Sequence, residues 1–388
     1  MIAAKPFEAS DLLPYWTPGD GFFFEHRGRA LAGVGAARAV RIAAGDELVA
    51  RAARQARQTL DETGGFVVGA LPFGEDAPAT LVVPQTTLVR AGGSTRRFDA
   101  GAAEPLTAYP VAEHPREPLR LTPIPEPSAF VAAVDKARTR IRAGELDKVV
   151  LARMLIAQAT HEFDRRALLA RLRALEPDAF AFAVYGFIGA SPELLVARRG
   201  AVVTACPLAG TARRSIDPDA DAAAAHLLTT SAKDRHEHAI VADHVRAVLE
   251  PLCENLRFDA EPRPVATARL WHLATAFTGT LRDPSLGSLD LAALLHPTPA
   301  VCGTPAARAR EAIAELEEID RALYAGMVGW QDANGDGEWA VVLRCAEVAG
   351  RIALMFAGAG IVADSDPQSE LAETDAKLAA MLDALGYA

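Results

Sequence analysis

Two pairs of acids stand out by spacing. Asp234 and Glu237 lie three apart in SAKDRHEHAIVADHV, and Glu370 and Glu373 lie three apart in QSELAETDAKL. Both strings read as helices, on which residues three apart share a face. Carboxylates brought together from two helices suit a hard divalent cation. Mg²⁺ takes few carboxylates, keeps some waters and often bridges to an anionic substrate. The same spacing also describes two solvated helix surfaces, and Arg235 and Lys377 beside the pairs serve either arrangement. Two further residues stand at the starts of apolar strands. In Asp147-Lys148-Val149-Val150-Leu151, a lysine pointing inward would be desolvated and its pKa lowered, as a general base requires. In Ser191-Pro192-Glu193-Leu194, an apolar setting would raise the pKa of Glu193 and keep a proton for general-acid work. Either residue could instead reach water from a strand end.

Other chemistries fit less well. His236, His238 and His244 suggest zinc, but residues two apart on a helix face different directions and no cysteine joins them. DANGDGE from Asp332 resembles half a calcium loop, yet the twelfth position is Leu343 where a bidentate glutamate is needed, and the flanks read as strands. A hairpin turn explains it. Gly358-Ala359-Gly360-Ile361-Val362-Ala363 matches a dinucleotide fingerprint, but Pro367 delays the helix that the glycines should open. Glycines at a strand end still let a ligand approach the backbone closely. Cys206, Cys253, Cys302 and Cys345 form no CxxC pair and read as reduced, buried thiols.

These side chains need a scaffold, and the chain is long enough to build one. It has 388 residues, half of them apolar, and a net charge of −10. That balance excludes a disordered chain and lacks the basic footprint of a nucleic-acid binder. No apolar run is long enough for a membrane helix. MIAAKPFEASDLLPYW carries charges and a proline where an export signal needs an apolar stretch, so a cytoplasmic protein is expected. Residues 1–120 read as short strands around one helix, DELVARAARQARQTLDE. Residues 110–127 carry Pro110, Pro115, Pro118, Pro123, Pro125 and Pro127 and read as a connection.

Beyond it the signals strengthen. PSAFVAAVDKARTRIRAGEL reads as a helix and DKVVLARMLIAQA as a strand, with a helix near 165–175. AFAFAVYGFIGA, ELLVARR and AVVTACPLA read as three strand-like runs, and 219–252 as two helices. PVATARL and WHLATAFTGTL read as strands, followed by helices near 287–295 and 305–322. Residues 326–361 read as three antiparallel strands, and a last helix covers about 368–386. Strands in hairpin groups, with helices not strictly interleaved, favour α+β with large antiparallel sheets. Residues 121–388 are expected to form the catalytic region, with 1–120 packed on it.

In order along the chain, LDKVVLAR, GASPELLV, PLAGTARR, KDRHEH, LWHLAT, HPTPAVCGTP, YAGMVGW, GDGEWAVVLRCAEV, AGAGIV and SELAETDAKL resemble the chorismate-utilising enzymes. That group includes isochorismate, salicylate, anthranilate and aminodeoxychorismate synthases. The resemblance covers about 125–388 and looks closest to isochorismate synthases of catechol-siderophore (2,3-dihydroxybenzoate) pathways. It implies the fold of anthranilate synthase component I: two large antiparallel sheets surrounded by helices, two similar halves, and an active site in the cleft between them. It implies that Lys148 activates water for attack at C2 of chorismate and that Glu193 protonates the departing C4 hydroxyl. It implies Mg²⁺ held by Glu237 and Glu373, with Asp234 and Glu370 acting directly or through water, and placed to hold the ring carboxylate. Arg344, Tyr324 and Lys377 match residues around the substrate carboxylates. Gly210, Thr211, Ala300, Gly358 and Gly360 match close backbone or hydroxyl contacts, and His272 matches a histidine beside the ring. Ala232 stands where a glutamate can precede the lysine of KDRHEH.

Amino-transferring members have glutamine at the position of Lys148, so the lysine implies water as nucleophile, a monomer, and no glutamine-hydrolysing partner subunit. Salicylate synthases share the lysine and the acids and go on to eliminate pyruvate; His296-Pro297-Thr298-Pro299-Ala300-Val301-Cys302-Gly303 looks like the isochorismate synthase version. A binding module that had lost its chemistry would lack an acid, base or metal ligand, and all are present. A metal-dependent hydrolase would want a second metal cluster. Siderophore, menaquinone or another metabolite would each use the product.

Overall fold

The computed structural model describes residues 4–102, 104–113 and 116–387. The first three residues of the N-terminal string and Pro115 of the proline-rich connection lie outside them. Two large antiparallel sheets and a small one, with eight helices among the described residues, make up the chain. The α+β class expected from the sequence is the class found.

Strand alternation places the core. Phe22, Phe24 and Phe182 point between the two large sheets, where they meet Val67, Val196, Trp339 and Leu151. Phe23, Ala181 and Ala183 point to the other face, against Leu168, Leu172, Leu378 and Met381 of the covering helices. Successive side chains of one strand thus fill two different cores.

The twelve-stranded sheet carries the strand Lys148–Gln158. One edge of this strand pairs with Ile352–Ile361 from Val149↔Ile361 to Gln158↔Ile352. The other edge meets Gly303–Thr304 at one end, through Lys148↔Thr304 and Val149↔Gly303, and Arg120–Ile124 from Met154↔Ile124 onward. The nine-stranded sheet carries Leu194–Arg199, which Glu193 precedes. Leu208–Arg213, Arg263–Ala266 and Leu270–Ala274 form the small sheet. The N-terminal strands enter both large sheets: Phe22–His26 pairs with Phe180–Val184 at Phe24↔Phe182, and Phe66–Leu71 pairs with Met327–Asp332 at Gly69↔Gly329.

Several boundaries differ from the sequence reading. AFAFAVYGFIGA forms two strands, Phe180–Val184 and Phe187–Ser191, turning at Tyr185 (φ 50°) and Gly186 (φ 87°). Residues 326–361 form four strands where three are expected: Met327–Asp332 and Gly337–Val341 in the nine-stranded sheet, Cys345–Ala349 and Ile352–Ile361 in the twelve-stranded one. The chain changes sheets at Arg344, whose φ is 49°. WHLATAFTGTL likewise divides between the small sheet and the nine-stranded sheet. The helix expected to reach 322 stops at Leu316. The Asp332 loop is a hairpin turn whose first carboxylate accepts from the amides of Asn334 (2.9 Å) and Asp336 (3.0 Å). Gly358 and Gly360 lie within a strand and open no helix.

Candidate active site

Two helices bring the acid pairs in. Ala232–Leu249 starts at Ser231, whose hydroxyl accepts from the Asp234 amide at 3.2 Å, and buries Glu237, Val241, Val245 and Leu249 along one face. Pro367–Leu385 starts with Asp366 as cap and Pro367 in its first turn, and ends at Gly386 in the left-handed region. It buries Glu370, Thr374 and Leu378.

The acids and the lysine meet here. Lys148 is 0% exposed, and its Nζ lies 3.0 Å from Glu237 Oε1. The two form a buried ion pair. Lys233 Nζ donates to Glu370 Oε1 at 2.7 Å, and Lys377 Nζ sits 2.6 Å from Glu373 Oε1. Each of three carboxylates thus has its own lysine. Among the described residues no three His, Cys, Asp or Glu side chains converge in metal-ligand geometry. The donor set nevertheless fits a hard cation. Burial, and then the charge of Glu373, push the Glu370 carboxyl up; burial, and then Glu237 and Glu373, push Asp234 up. Acids that raise one another's proton affinity have negative charge to share with a divalent ion.

Glu193 comes from the other large sheet. It is buried, its carboxylate accepts from the Leu208 amide, and desolvation raises its pKa to about 7 against the pull of Lys148, Lys377 and Arg344. This is the environment expected of a carboxyl kept protonated near neutrality.

Between the sheets lies a tight cleft bordered by Glu193, Glu237, Glu373, Lys377, Gly358 and Gly360, with Gly210, Thr211 and His272 from the small sheet and Ala300, Tyr324 and Arg344 from loops. Lys148 sits behind Glu237, while Asp234 and Glu370 stand back from the cleft wall. Asp234 abuts Gly210, whose φ of 76° favours glycine and where a Cβ would come within 3.2 Å of Asp234 Cβ. A larger open groove, about 1650 Å³, lies elsewhere, beside Phe73, Tyr185 and Ile319, and contains none of the expected residues.

The cationic end is built as a chain of contacts. Arg344 Nη2 lies 3.1 Å from His272 Nε2, and His272 Nδ1 lies 3.2 Å from the Gly210 carbonyl and 3.4 Å from Thr211 Oγ1. Arginine can only donate, so Nε2 accepts and the proton sits on Nδ1. Burial and then Arg344 hold the His272 pKa well below its usual value, so the ring stays neutral. Tyr324 stacks on Phe356 at 5.5 Å, and Lys377 Nζ donates to the Gly358 carbonyl at 2.8 Å.

The histidines make no zinc site. His236 is exposed, His238 Nε2 bonds Thr275 Oγ1 at 2.7 Å, and His244 Nε2 bonds the Leu295 carbonyl at 3.2 Å. Arg235 leaves the acid cluster for Glu261 at 2.6 Å. The lysine that matters there is Lys233, which the sequence reading missed, although it stands one helical turn before Glu237. Phe356 and Val150 also line the cleft and carry no polar signal that would mark them.

Gly360 gives a first test. A methyl there would overlap the Glu237 carboxylate and come within 3.0 Å of Lys148 Cε. Gly360→Ala should fold and show weakened divalent-metal binding by calorimetry together with lowered turnover; parental metal affinity would refute the crowding argument.

A family profile described as chorismate binding enzyme matches residues 100–386. Isochorismate synthase DhbC of Bacillus subtilis is 41% identical over 397 residues, covering 98% of this chain and 96% of its own. The crystal structure of Bacillus anthracis DhbC, provisionally assigned as a 2,3-dihydroxybenzoate-specific isochorismate synthase, matches with a TM-score of 0.86 and 37% identity, covering 97% of this chain and 99% of its own. That of MenF, the menaquinone-specific isochorismate synthase of Escherichia coli, matches with a TM-score of 0.84 and 26% identity, covering 100% and 94%. With matches of this extent over a cleft of this chemistry, the chain belongs to the chorismate-binding enzyme family.

Proposed function

We propose that this chain is an isochorismate synthase, adding water at C2 of chorismate as the C4 hydroxyl leaves and the ring double bonds shift. The observation that carries this reading is the pairing of opposites in one cleft. A fully buried lysine stands just behind the Glu237 wall on one side, ion-paired to it at 3.0 Å, and a buried glutamic acid with a pKa of about 7 lines the cleft from the other sheet. A base and an acid of that kind are what simultaneous hydration and dehydration require.

Lys148 takes the proton from the attacking water, and Glu193 gives its proton to the C4 hydroxyl, which departs as water. The balance is one water in and one water out, so the product is an isomer. Arg344 and Lys377 offset the substrate's carboxylate charges, with Arg344 aimed by neutral His272. Tyr324, Gly210, Thr211, Ala300, Gly358 and Gly360 shape the wall around the ring and side chain. Glu237 and Glu373, with Asp234 and Glu370 behind them, would hold Mg²⁺, which supplies positive charge at the substrate's ring carboxylate. Residues 121–388 form the catalytic region, with 1–120 packed on it. The protein acts in the cytoplasm as a monomer without a glutaminase subunit, and its product feeds 2,3-dihydroxybenzoate siderophore synthesis. What supports that branch is the extent of the match to DhbC of Bacillus subtilis, 98% of this chain, against 84% for a provisionally named MenF of Mycobacterium tuberculosis that is 45% identical. Among the described residues no helix is long and apolar enough to cross a membrane.

The test is to incubate the protein with chorismate, with Mg²⁺ and with chelator, and to separate products by chromatography and mass. A magnesium-dependent isomer of unchanged mass, without pyruvate, is expected. Salicylate with equal pyruvate would move the protein to the lyase branch, and an amine at C2 when ammonium is also supplied would overturn water as nucleophile.

A further inference from the structure

The strand that carries Lys148 has a gap in its pairing. Its outer edge is covered by Gly303–Thr304 as far as Val149, and by Arg120–Ile124 only from Met154. The Val150 amide still reaches the Cys302 carbonyl at 2.8 Å. The Val150 carbonyl and the Ala152 amide have no strand partner on that side. A single ion pair fills both places. Arg321 Nη2 donates to the Val150 carbonyl at 2.8 Å, and Glu317 Oε1 accepts from the Ala152 amide at 2.7 Å. The two side chains are locked together through Arg321 Nε to Glu317 Oε2 at 2.9 Å and Nη2 to Oε1 at 2.5 Å. Their side chains are 5% and 4% exposed.

The same guanidinium reaches one more wall of the cleft: its Nη1 donates to the Val301 carbonyl at 2.9 Å, next to Ala300, while the Arg321 backbone carbonyl accepts from the Tyr324 amide at 2.7 Å. It lies over the Phe73 ring at 4.3 Å, which fixes its plane. Val150, Ala300, Val301 and Tyr324 all border the cleft. A buried ion pair is weak evidence for stability, because desolvation cancels much of the attraction. Here every directional bond of the pair ends on a backbone group of the catalytic walls or on its partner.

We propose that Glu317 and Arg321 are positioning residues, a side-chain rung that replaces missing strand pairing and sets the Lys148 strand, the Ala300 loop and Tyr324 in one register. Neither touches substrate. A base displaced by about 1 Å can cost on the order of 100-fold in rate. Arg321→Lys keeps the charge but cannot span both carbonyls, since an ammonium is a point donor without the planar fork. Glu317→Gln keeps an acceptor for the Ala152 amide and weakens the lock on Arg321.

This inference rests on the isochorismate synthase reading, and the experiment separates the two. Parent, Arg321→Lys and Glu317→Gln are compared for folding by near-ultraviolet circular dichroism, for kcat and KM with chorismate and Mg²⁺, and for amide exchange at Ala152. In Arg321→Lys, kcat should fall about 10- to 100-fold at nearly constant KM, with the pH limb set by Glu193 unmoved and Ala152 exchanging faster in the folded protein. The loss in Glu317→Gln should be smaller. Folded variants with parental kcat, or with parental exchange at Ala152, overturn the proposal. Failure of both variants to fold also overturns it, because the pair would then serve the fold. A parent that makes no isochorismate defeats the functional reading instead, and the exchange at Ala152 still decides whether the rung exists.

Discussion

Glu193→Gln should lower kcat by about two to four orders of magnitude, the usual worth of a positioned general acid, while substrate binding and fold persist. Glutamine fills the same volume and can still accept from the Leu208 amide, so packing is preserved. What disappears is the transferable proton. The pH dependence makes the test sharper. Desolvation raises this carboxyl from 4.5 to about 7, even with Lys148, Lys377 and Arg344 favouring its ionised form. The protonated form is the working one, so parental kcat should be full below about pH 6 as far as this group is concerned and should fall as pH rises through about 7. One pH unit above the pKa, roughly a tenth of the acid remains protonated. In Glu193→Gln that limb should vanish along with most of the rate. A limb that survives in the variant would belong to another group.

Lys148→Met should abolish turnover, by about three orders of magnitude or more if the lysine is both base and local charge. The variant should fold with a lower melting temperature than the parent, because methionine leaves the buried Glu237 carboxylate without the cation that lies 3.0 Å away. Lys148→Arg separates the two roles. It restores a cation beside Glu237 but cannot give up its proton in the working range. If Lys148 serves as base, the arginine variant should be as inactive as the methionine variant; if it serves only as a counter-charge, the arginine variant should recover most of the rate. Differential scanning calorimetry with initial rates settles both halves. A methionine variant that is inactive only because its melting temperature collapses would refute this account.

The sequence made some of this visible and hid the rest, for physical reasons. The start of the last helix was legible near 368, just past Pro367, which stands in its first turn, whereas the division at Ser231 within 219–252 was not placed. The acid pairs were legible because helical spacing is fixed. The hairpin at Tyr185-Gly186 was not, because a tyrosine at φ 50° is no turn signal, and the apolar run continues through it. The switch of sheets at Arg344 was hidden in the same way inside WAVVLRCAEV. There the strained residue is also the one whose guanidinium reaches His272, so the local rule fails at the cleft itself. Lys233 was overlooked because a lysine on a helix surface is ordinary, and only the crossing of a second helix supplies Glu370 as its partner. The Glu317–Arg321 rung was invisible because its meaning depends on a gap between strands brought together from distant parts of the chain.

The pairing of Phe66–Leu71 with Met327–Asp332 has a consequence for how the protein is made. Gly69 must wait for Gly329, some 260 residues later, and at a synthesis rate of about 5 to 20 residues per second that is roughly 13 to 52 s. During that interval a strand whose every residue is buried in the finished molecule has one side without its neighbour. Such an edge invites pairing with another chain. Pairing with Ala79–Val83, which arrives within a few seconds, covers only the opposite edge, so the nascent polypeptide depends on shielding of the edge that Met327–Asp332 will take. Expression at lower temperature, or with a trigger-factor-type holdase, should raise the soluble yield more than any change near the cleft.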